Sequence, residues 1–340
     1  MIRIGVICPS EIAYRRFMPA LVKNKDFYFA GVAVANADEI FILDKPNMPP
    51  VESFIEQEIK KAKSFTDAYG GILFNSYEAI VTSPDIDAVY IPLPPALHYK
   101  WGKKALENGK HVLLEKPATL ELAHTQELVE LASGRNLALY ENYMFVFHKQ
   151  IEQISSIIKD GMIGDVRLYR ITFGFPMRGE NDFRYSKEMG GGALYDAGGY
   201  ALKYASMLLG DSTKIVHARM NYINDFMVDV FGSAVLSNDK GITAQIAFGM
   251  DNSYRCDLEV WGSTGLLTTG RVLTAPDNFT PEVFIKSNSG VEKILLQTDD
   301  AFKKSIAWFK KCIDDKATRE ESYWDIIKQA SFIEEFVNWR

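Results

Sequence analysis

The chain places a charged pair where open α/β sheets hold their ligands. Val112-Leu113-Leu114-Glu115-Lys116-Pro117 runs an apolar strand into Glu and Lys, stopped by proline. Carboxyl ends of parallel strands form the ligand crevice of such sheets. A lysine there, its exit set by Pro117, can meet a substrate hydroxyl or carbonyl; a surface ion pair at a strand end fits the hexapeptide equally well. A second constellation is Gly190-Gly191-Gly192-Ala193-Leu194-Tyr195-Asp196-Ala197-Gly198-Gly199-Tyr200. The glycines permit close backbone approach. Asp196 and Tyr200 are four apart and share a helix face. A carboxylate and a phenol on one face can orient a sugar and carry a proton. A capping Asp beside a half-buried Tyr is the commoner source of this pattern.

The first strand–helix turn, Gly5-Val6-Ile7-Cys8-Pro9-Ser10-Glu11-Ile12-Ala13, is the place where a dinucleotide fold aims amides and a helix N-terminus at a pyrophosphate. Of the G-x-G-x-x-G/A pattern, aligned on Cys8, Ser10 and Ala13, only the last small residue is kept. Ser10 can cap the helix and donate its hydroxyl to phosphate; an ordinary Ser-capped helix reads the same way. Strand two ends at Asn36, where an acid would hold an NAD ribose. Asp38, Arg15 and Arg16 are candidates for ribose or phosphate, or are solvated charges. His98 follows a crevice-edge strand and either leans on a nicotinamide or begins a helix. Arg184 could grip a diphosphate bidentately or make a structural ion pair. His111, His124, His148 and His217 lack ligand spacing, so no metal is expected.

These residues need rigid elements behind them. Over 340 residues, with 47% hydrophobic and 24% charged, the chain is long enough for about two folded domains. A net charge of −6 makes nucleic acid and anionic membrane poor partners. No apolar stretch approaches the ~20 residues of a membrane span. Met1 to Ile7 reads as a first strand rather than a signal peptide. Cys8, Cys256 and Cys312 fit neither a disulfide framework nor a zinc site, and a reducing cytoplasm is expected.

Residues 1–141 alternate short strands and helices, the pattern of βαβ units. Strands are expected at Ile2–Ile7, Phe27–Ala35, Ala88–Leu93, His111–Leu114 and Leu137–Tyr140. Helices are expected at Ile12–Lys23, Leu97–Asn108 and Leu120–Ser133, and Asp44–Lys63, Pro- and charge-rich near its start and helical later, reads as a surface insertion. Residues 142–340 read as an α+β domain. Its strand candidates are Val166–Phe175, Ile215–Ile223, Val230–Leu236, Ile242–Phe248, Leu258–Trp261, Val283–Lys286 and Ile294–Gln297. Their alternation points to a large, mostly antiparallel open sheet. Helical patterns cover Lys149–Asp160, Ala197–Leu209, Ala301–Asp314 and Ser322–Trp339.

Together these pieces resemble one family. The N-terminal turn, Asp87-Ala88-Val89-Tyr90-Ile91-Pro92-Leu93-Pro94-Pro95-Ala96-Leu97-His98, Gly109 to Pro117, Glu141-Asn142-Tyr143-Met144-Phe145 and the glycine–Asp–Tyr segment occur in the order seen in the glucose–fructose oxidoreductase / inositol dehydrogenase (Gfo/Idh/MocA) family. Tyr at 200, with Tyr254 to Gly265 and Arg271 to Pro276, looks most like bacterial NDP-sugar 3-ketoreductases. The resemblance implies an N-terminal Rossmann domain with a doubly wound parallel sheet, bound NADP(H) or NAD(H), and homodimers or homotetramers built on the C-terminal sheet.

It also implies hydride transfer to or from a secondary carbinol or ketone of a sugar, with Lys116 and Tyr200 as the proton-transfer pair. The expected cofactor-binding residues are Ser10, Glu11, Ile12, Asn36, Leu93, His98, Glu115 and Lys116, with NADP(H) slightly favoured because no acid stands at 36. The expected substrate-binding residues are Tyr143, Arg184 and Asp196. The alternatives are a free-sugar or trans-dihydrodiol dehydrogenase, and a non-catalytic dinucleotide-binding sensor.

Overall fold

The computed structural model describes residues 1–40, 50–179, 182–223 and 226–339. The chain divides into two compact units: Met1–Asn142 with Ser305–Ile327, and Tyr143–Lys304 with Lys328–Arg340. The reading from sequence kept 142–340 together. In the structure Ser305–Ile327 completes the first unit. Phe309 stacks on Phe27 with ring centroids 6.0 Å apart. Ser322 Oγ donates to the Leu139 carbonyl at 2.9 Å, and the Tyr323 hydroxyl donates to the Leu137 carbonyl. Tyr323 and Ile326 are buried in the same core as the strands they cap.

The first unit is a six-stranded parallel sheet: β1 (Ile2–Ile7), β2 (Phe27–Ala33), β3 (Ile72–Phe74), β4 (Ala88–Ile91), β5 (His111–Leu114) and β6 (Leu139–Glu141). The order β3-β2-β1-β4-β5-β6 is that of a doubly wound dinucleotide fold. Its central strands are largely apolar because helices cover both faces; all four residues of β4 are buried. Those helices are α1 (Met18–Leu21, continuing a π-helical turn at Ala13–Phe17), α2 (Val51–Tyr69), α3 (Tyr77–Thr82), α4 (His98–Glu107) and α5 (Leu122–Gly134).

The expected surface insertion at Asp44–Lys63 is corrected here. Residues 41–49 lie outside the described ones, but α2 is the crossover helix between β2 and β3. It buries Glu58, Ala62 and Phe65 at helical spacing. Phe65 packs edge-on against Tyr14, centroids 5.1 Å apart. β3 and α3 were not foreseen; β3 is three residues long with two exposed, so it carries little apolar pattern.

The second unit is built on β7 (Val166–Gly174), β8 (Lys214–Tyr222), β9 (Asp229–Ser237), β10 (Thr243–Gly249), β11 (Arg255–Gly262), β12 (Gly265–Thr269), β13 (Glu282–Ser287) and β14 (Gly290–Leu295). They form one sheet in the order β14-β13-β12-β11-β7-β10-β9-β8. All described pairs are antiparallel except β7 with β10. β12 was not foreseen, because the turn into it is only two residues long.

Alternation decides the two faces. Tyr169, Ile171 and Phe173 of β7 and Cys256, Leu258 and Val260 of β11 are buried. On the other face Arg170 bonds Gln245 and Glu259, both at 3.0 Å, across three strands. The helices are α6 (Lys149–Lys159) and α7 (Gly199–Leu209), the latter entered through a π-helical turn at Leu194–Gly198. Two further helices, α8 (Ala301–Asp314) and α9 (Lys316–Val337), follow the last strand.

Candidate active site

Because all six strands of the first unit are parallel, their carboxyl ends share one edge. There the chain assembles Ser10, Asn36, Leu93, Glu115 and Lys116. After β1, Cys8 adopts φ +82, the left-handed backbone that glycine takes without steric cost. Thus the turn keeps its shape without its usual glycines. The Ser10 Oγ accepts the Ala13 N–H at 3.3 Å and so caps the helix. The first amides of that helix, at Glu11 and Ile12, lack intrahelical acceptors.

Glu11 pairs with Arg15 at 2.5 Å. Cys8 Sγ lies 3.8 Å from a carboxylate oxygen of Glu58. Burial, with this neighbour's help, pushes the thiol up to about 12, so it stays protonated.

At the end of β2 the Asn36 side-chain carbonyl accepts the amides of Asp38 (3.0 Å) and Glu39 (3.1 Å). Asp38 is exposed. Glu39 was not singled out from sequence. Its carboxylate accepts the amides of Asn36, Tyr77 and Glu78 at 2.8–3.0 Å, tying this loop to the start of α3.

Lys116 is fixed from both sides. Before it, Glu115 Oε1 accepts the Tyr90 hydroxyl and Asn142 Nδ2, each at 2.7 Å. Burial raises the Glu115 carboxyl above its usual range, and these two donors oppose that rise. After it, the Ala118 amide donates to Glu141 at 2.7 Å. The Lys116–Pro117 peptide is cis. His98 is fully buried at the start of α4. Its ring nitrogens lie 2.8 Å from the carbonyls of Leu93 and Pro117, so it joins the exits of β4 and β5 rather than turning a nitrogen outward. Burial pushes it down to about 4.

In the second unit Tyr200 opens α7. Its ring is walled by Tyr143 (centroids 5.1 Å, edge-on), Phe173 (5.4 Å) and Phe145 (5.7 Å). Tyr143, expected to touch substrate, is 1% exposed. Its hydroxyl accepts from Gln329 Nε2 at 3.3 Å, and Gly199 lies against it where any Cβ would overlap the hydroxyl. Its ring packs edge-on against that of Tyr200.

Asp196, one turn earlier, accepts Arg184 Nε at 2.5 Å. Arg184 also pairs with Asp182 at 3.0 Å and lies over the Phe183 ring. Of the two roles open to Arg184, the ion pair is the one built here. Burial works against its charge, but the two carboxylates overcome it and hold the guanidinium pKa above the usual value.

The glycine run wraps this cluster. The Gly192 amide donates to the Arg184 carbonyl at 2.9 Å. Asp229 accepts the Leu194 amide at 2.7 Å at the start of the π turn. Burial pushes Asp229 up to about 6. Asp229 carried no motif in the sequence, and Glu141 and Asn142, though part of the segment that carries the family resemblance, were given no role there.

Among the described residues no cluster of His, Cys, Asp and Glu could hold a metal ion. Among them, too, no helix is long and apolar enough to cross a membrane.

Two family models match. Residues 3–143 match an oxidoreductase family with an NAD-binding Rossmann fold, and residues 151–268 match the GFO/IDH/MocA C-terminal domain. A dTDP-3,4-didehydro-2,6-dideoxy-alpha-D-glucose 3-reductase from Actinomadura kijaniata is 35% identical over 333 residues, 98% of this chain and 94% of that protein. A Streptomyces violaceoruber protein of the same description is 33% identical, with 98% and 94% covered.

The crystal structure of KijD10, a 3-ketoreductase from A. kijaniata, in complex with NADP and TDP-benzene superposes with a TM-score of 0.89. It is 35% identical, covering 99% of this chain and 97% of that one. Structures of that protein with one tyrosine changed to phenylalanine, and with one lysine changed to alanine, also match, with TM-scores of 0.89 and 0.86.

Proposed function

The chain belongs to the GFO/IDH/MocA family of NAD(P)-dependent oxidoreductases, and from that premise we propose that it reduces a keto group of a nucleotide-linked sugar. One observation carries the reading. A chain about one-third identical, end to end, to dTDP-sugar 3-reductases presents an amine, Lys116, just after β5 of its parallel sheet and a phenol, Tyr200, at the start of α7.

The residues present fit a dinucleotide. The left-handed Cys8, the Ser10-capped helix start and the carboxyl edge of the parallel sheet form the expected cradle. Ser10, Glu11 and Ile12 would face the phosphates, Asn36 the adenosine ribose, and Leu93, Glu115 and Lys116 the nicotinamide end. NADP(H) is favoured, since no acid at 36 repels a 2′-phosphate. The bound nicotinamide supplies or takes the hydride.

The protein's part is the proton. When the carbonyl carbon gains hydride its oxygen must gain a proton, and Tyr200 is assigned as the donor. Lys116 polarises the carbonyl and stabilises the developing charge. Asp196 accepts a neighbouring sugar hydroxyl.

The open face of the eight-stranded sheet is the proposed interface between copies. Trp261, Phe231 and Phe284 project from it at 56%, 43% and 38% exposure. The three free thiols suit a cytoplasmic setting.

The test is turnover of NADPH and NADH against a panel of keto sugars, free and nucleotide-linked. Oxidation of NADPH with nucleotide-linked ketones alone is expected. Turnover of free sugars with none of the linked ones would replace this reading with a free-sugar dehydrogenase.

A further inference from the structure

Tyr200 follows a widened helical turn, and its aim depends on what holds that turn. The π-helical stretch Leu194–Gly198 is tied at its start, where Asp229 accepts the Leu194 amide at 2.7 Å. Its end has no side chain to tie, because residues 198 and 199 are both glycine. Their backbone does not call for glycine: φ is −61 at Gly198 and −56 at Gly199, ordinary helical values. Their surroundings do. A Cβ on Gly198 would come within 3.1 Å of the Phe248 ring, and one on Gly199 would overlap the Tyr143 hydroxyl.

Both of those neighbours are backed by α9. Phe336 packs on Phe248 with ring centroids 5.5 Å apart. Gln329 is seven residues earlier and so on the same helix face. Its Nε2 donates to the Gly199 carbonyl at 2.9 Å and to the Tyr143 hydroxyl at 3.3 Å. One amide nitrogen thus grips the residue before Tyr200 and the residue whose ring lies edge-on to that of Tyr200.

Gln329 is 1% exposed, and its Oε1 has no partner among the described residues. A buried amide oxygen left unpaired lowers stability. An unbranched apolar side chain would fill the same space without that cost. What the glutamine adds is a pair of directed donors. Tyr200 itself is 8% exposed and walled by three rings, so its hydroxyl shifts when the backbone carrying it or the Tyr143 ring beside it shifts.

We propose that Gln329 is a positioning residue for proton transfer: by joining Gly199 to Tyr143 it sets where the Tyr200 hydroxyl meets the substrate. The role rests on the assignment of Tyr200 as proton donor and deepens it. Being buried, Gln329 acts through Tyr200.

The test is steady-state kinetics with NADPH and a nucleotide-linked keto sugar on the wild type, Gln329→Met, Tyr200→Phe and the double variant. Gln329→Met keeps the side chain's length and removes both donors. It should lower kcat roughly 10–10²-fold, as misplacement of a reacting group does, with KM and NADPH affinity in a fluorescence titration little changed. In the Tyr200→Phe background the same substitution should cost less than about twofold, since residues that act as a unit are not additive. Tyr143→Phe removes one of the two acceptors and should show a smaller loss of the same kind, again abolished by Tyr200→Phe; this pair decides the matter where Gln329→Met does not fold. Unchanged kcat in the folded variants, or an equal loss in both backgrounds, overturns the positioning role and spares the proposed reaction. A near-wild-type rate in Tyr200→Phe overturns the proton assignment and the role of Gln329 with it.

Discussion

Asn142 and Tyr90 donate to the same oxygen of Glu115, each at 2.7 Å, from strand ends on opposite sides of it. Asn142 is oriented in turn by Ser305, whose hydroxyl donates to its Oδ1 at 2.6 Å. The residue before Lys116 is therefore fixed by β4, β6 and a segment from near the chain's end. Asn142→Ala should leave the buried carboxylate short of a donor, costing about 1–3 kcal/mol. It should also lower turnover through a looser Lys116. A thermal melt and steady-state kinetics on one sample check both. Wild-type turnover in a clearly destabilised variant would separate Asn142 from the positioning of Lys116.

Tyr200→Phe keeps the ring among Tyr143, Phe145 and Phe173 and deletes only the hydroxyl. Turnover should fall roughly 10²–10⁴-fold with a smaller change in KM. Lys116→Ala should cost at least as much. A near-wild-type rate in Tyr200→Phe, with a full isotope effect on hydride transfer, would make Lys116 the sole proton carrier.

What could be read from sequence was what local pattern controls. The strands Ile2–Ile7 and His111–Leu114 match residue for residue, because apolar runs bounded by turn residues carry their own limits. The edge of the parallel sheet followed from strand order. The helical pattern of α2 was visible but its place as a crossover was not, because its buried stripe is Glu58, Ala62 and Phe65 within a charge-rich helix preceded by prolines. The supports of Lys116 escaped for another reason. Glu141, Asn142 and Ser305 act by hydrogen bonds across 23 to 163 positions, and no periodicity reports such pairs. The ion pair of Arg184 was legible only as one of two alternatives, since type and spacing cannot say which carboxylate lies within reach.

His111 makes an acid-sensitive seam between β5 and β6. Its Nδ1 accepts the Ala138 amide at 2.9 Å, which requires a neutral ring. Burial pushes the imidazole down to about 4, as it does for His98, against roughly 6.5 unfolded. Between those values the unfolded chain binds more protons, so stability rises with pH. The contribution is complete above about 6.5 and lost as pH falls through 4. The melting temperature should drop on acidification across that window. His111→Gln should start lower at neutral pH and fall less steeply. Parallel curves for the two proteins would remove His111 from the seam.

Gly192 carries φ +121, and a Cβ there would overlap Asp229 Oδ1. Asp229 is the carboxylate that accepts the Leu194 amide, so Gly192→Ala should displace the start of the helix bearing Asp196 and Tyr200. A backbone forced into this region costs on the order of 1–3 kcal/mol. Loss of stability together with loss of turnover is expected. A stable variant with normal kinetics would show that the glycine run can move without carrying Tyr200 with it.

Arg184 separates two ways of using a guanidinium. If it orients Asp196, then Arg184→Lys keeps a positive charge but loses the fork that spans Asp182 and Asp196. Asp196 should then misplace the sugar hydroxyl it is proposed to hold. An ångström of misplacement can cost about 10²-fold in rate, so kcat should fall by roughly 10–10²-fold with little change in KM. Arg184→Met should also destabilise the fold. A fully buried pair broken on one side costs about 3–5 kcal/mol, and these side chains retain 14–19% exposure, so the loss should be smaller. Direct contact with the substrate's phosphates predicts the reverse kinetic pattern, a tenfold or greater rise in KM at constant kcat. Two carboxylates already occupy the guanidinium, and a third anion there would have to displace one of them; the kcat pattern is therefore the expected result.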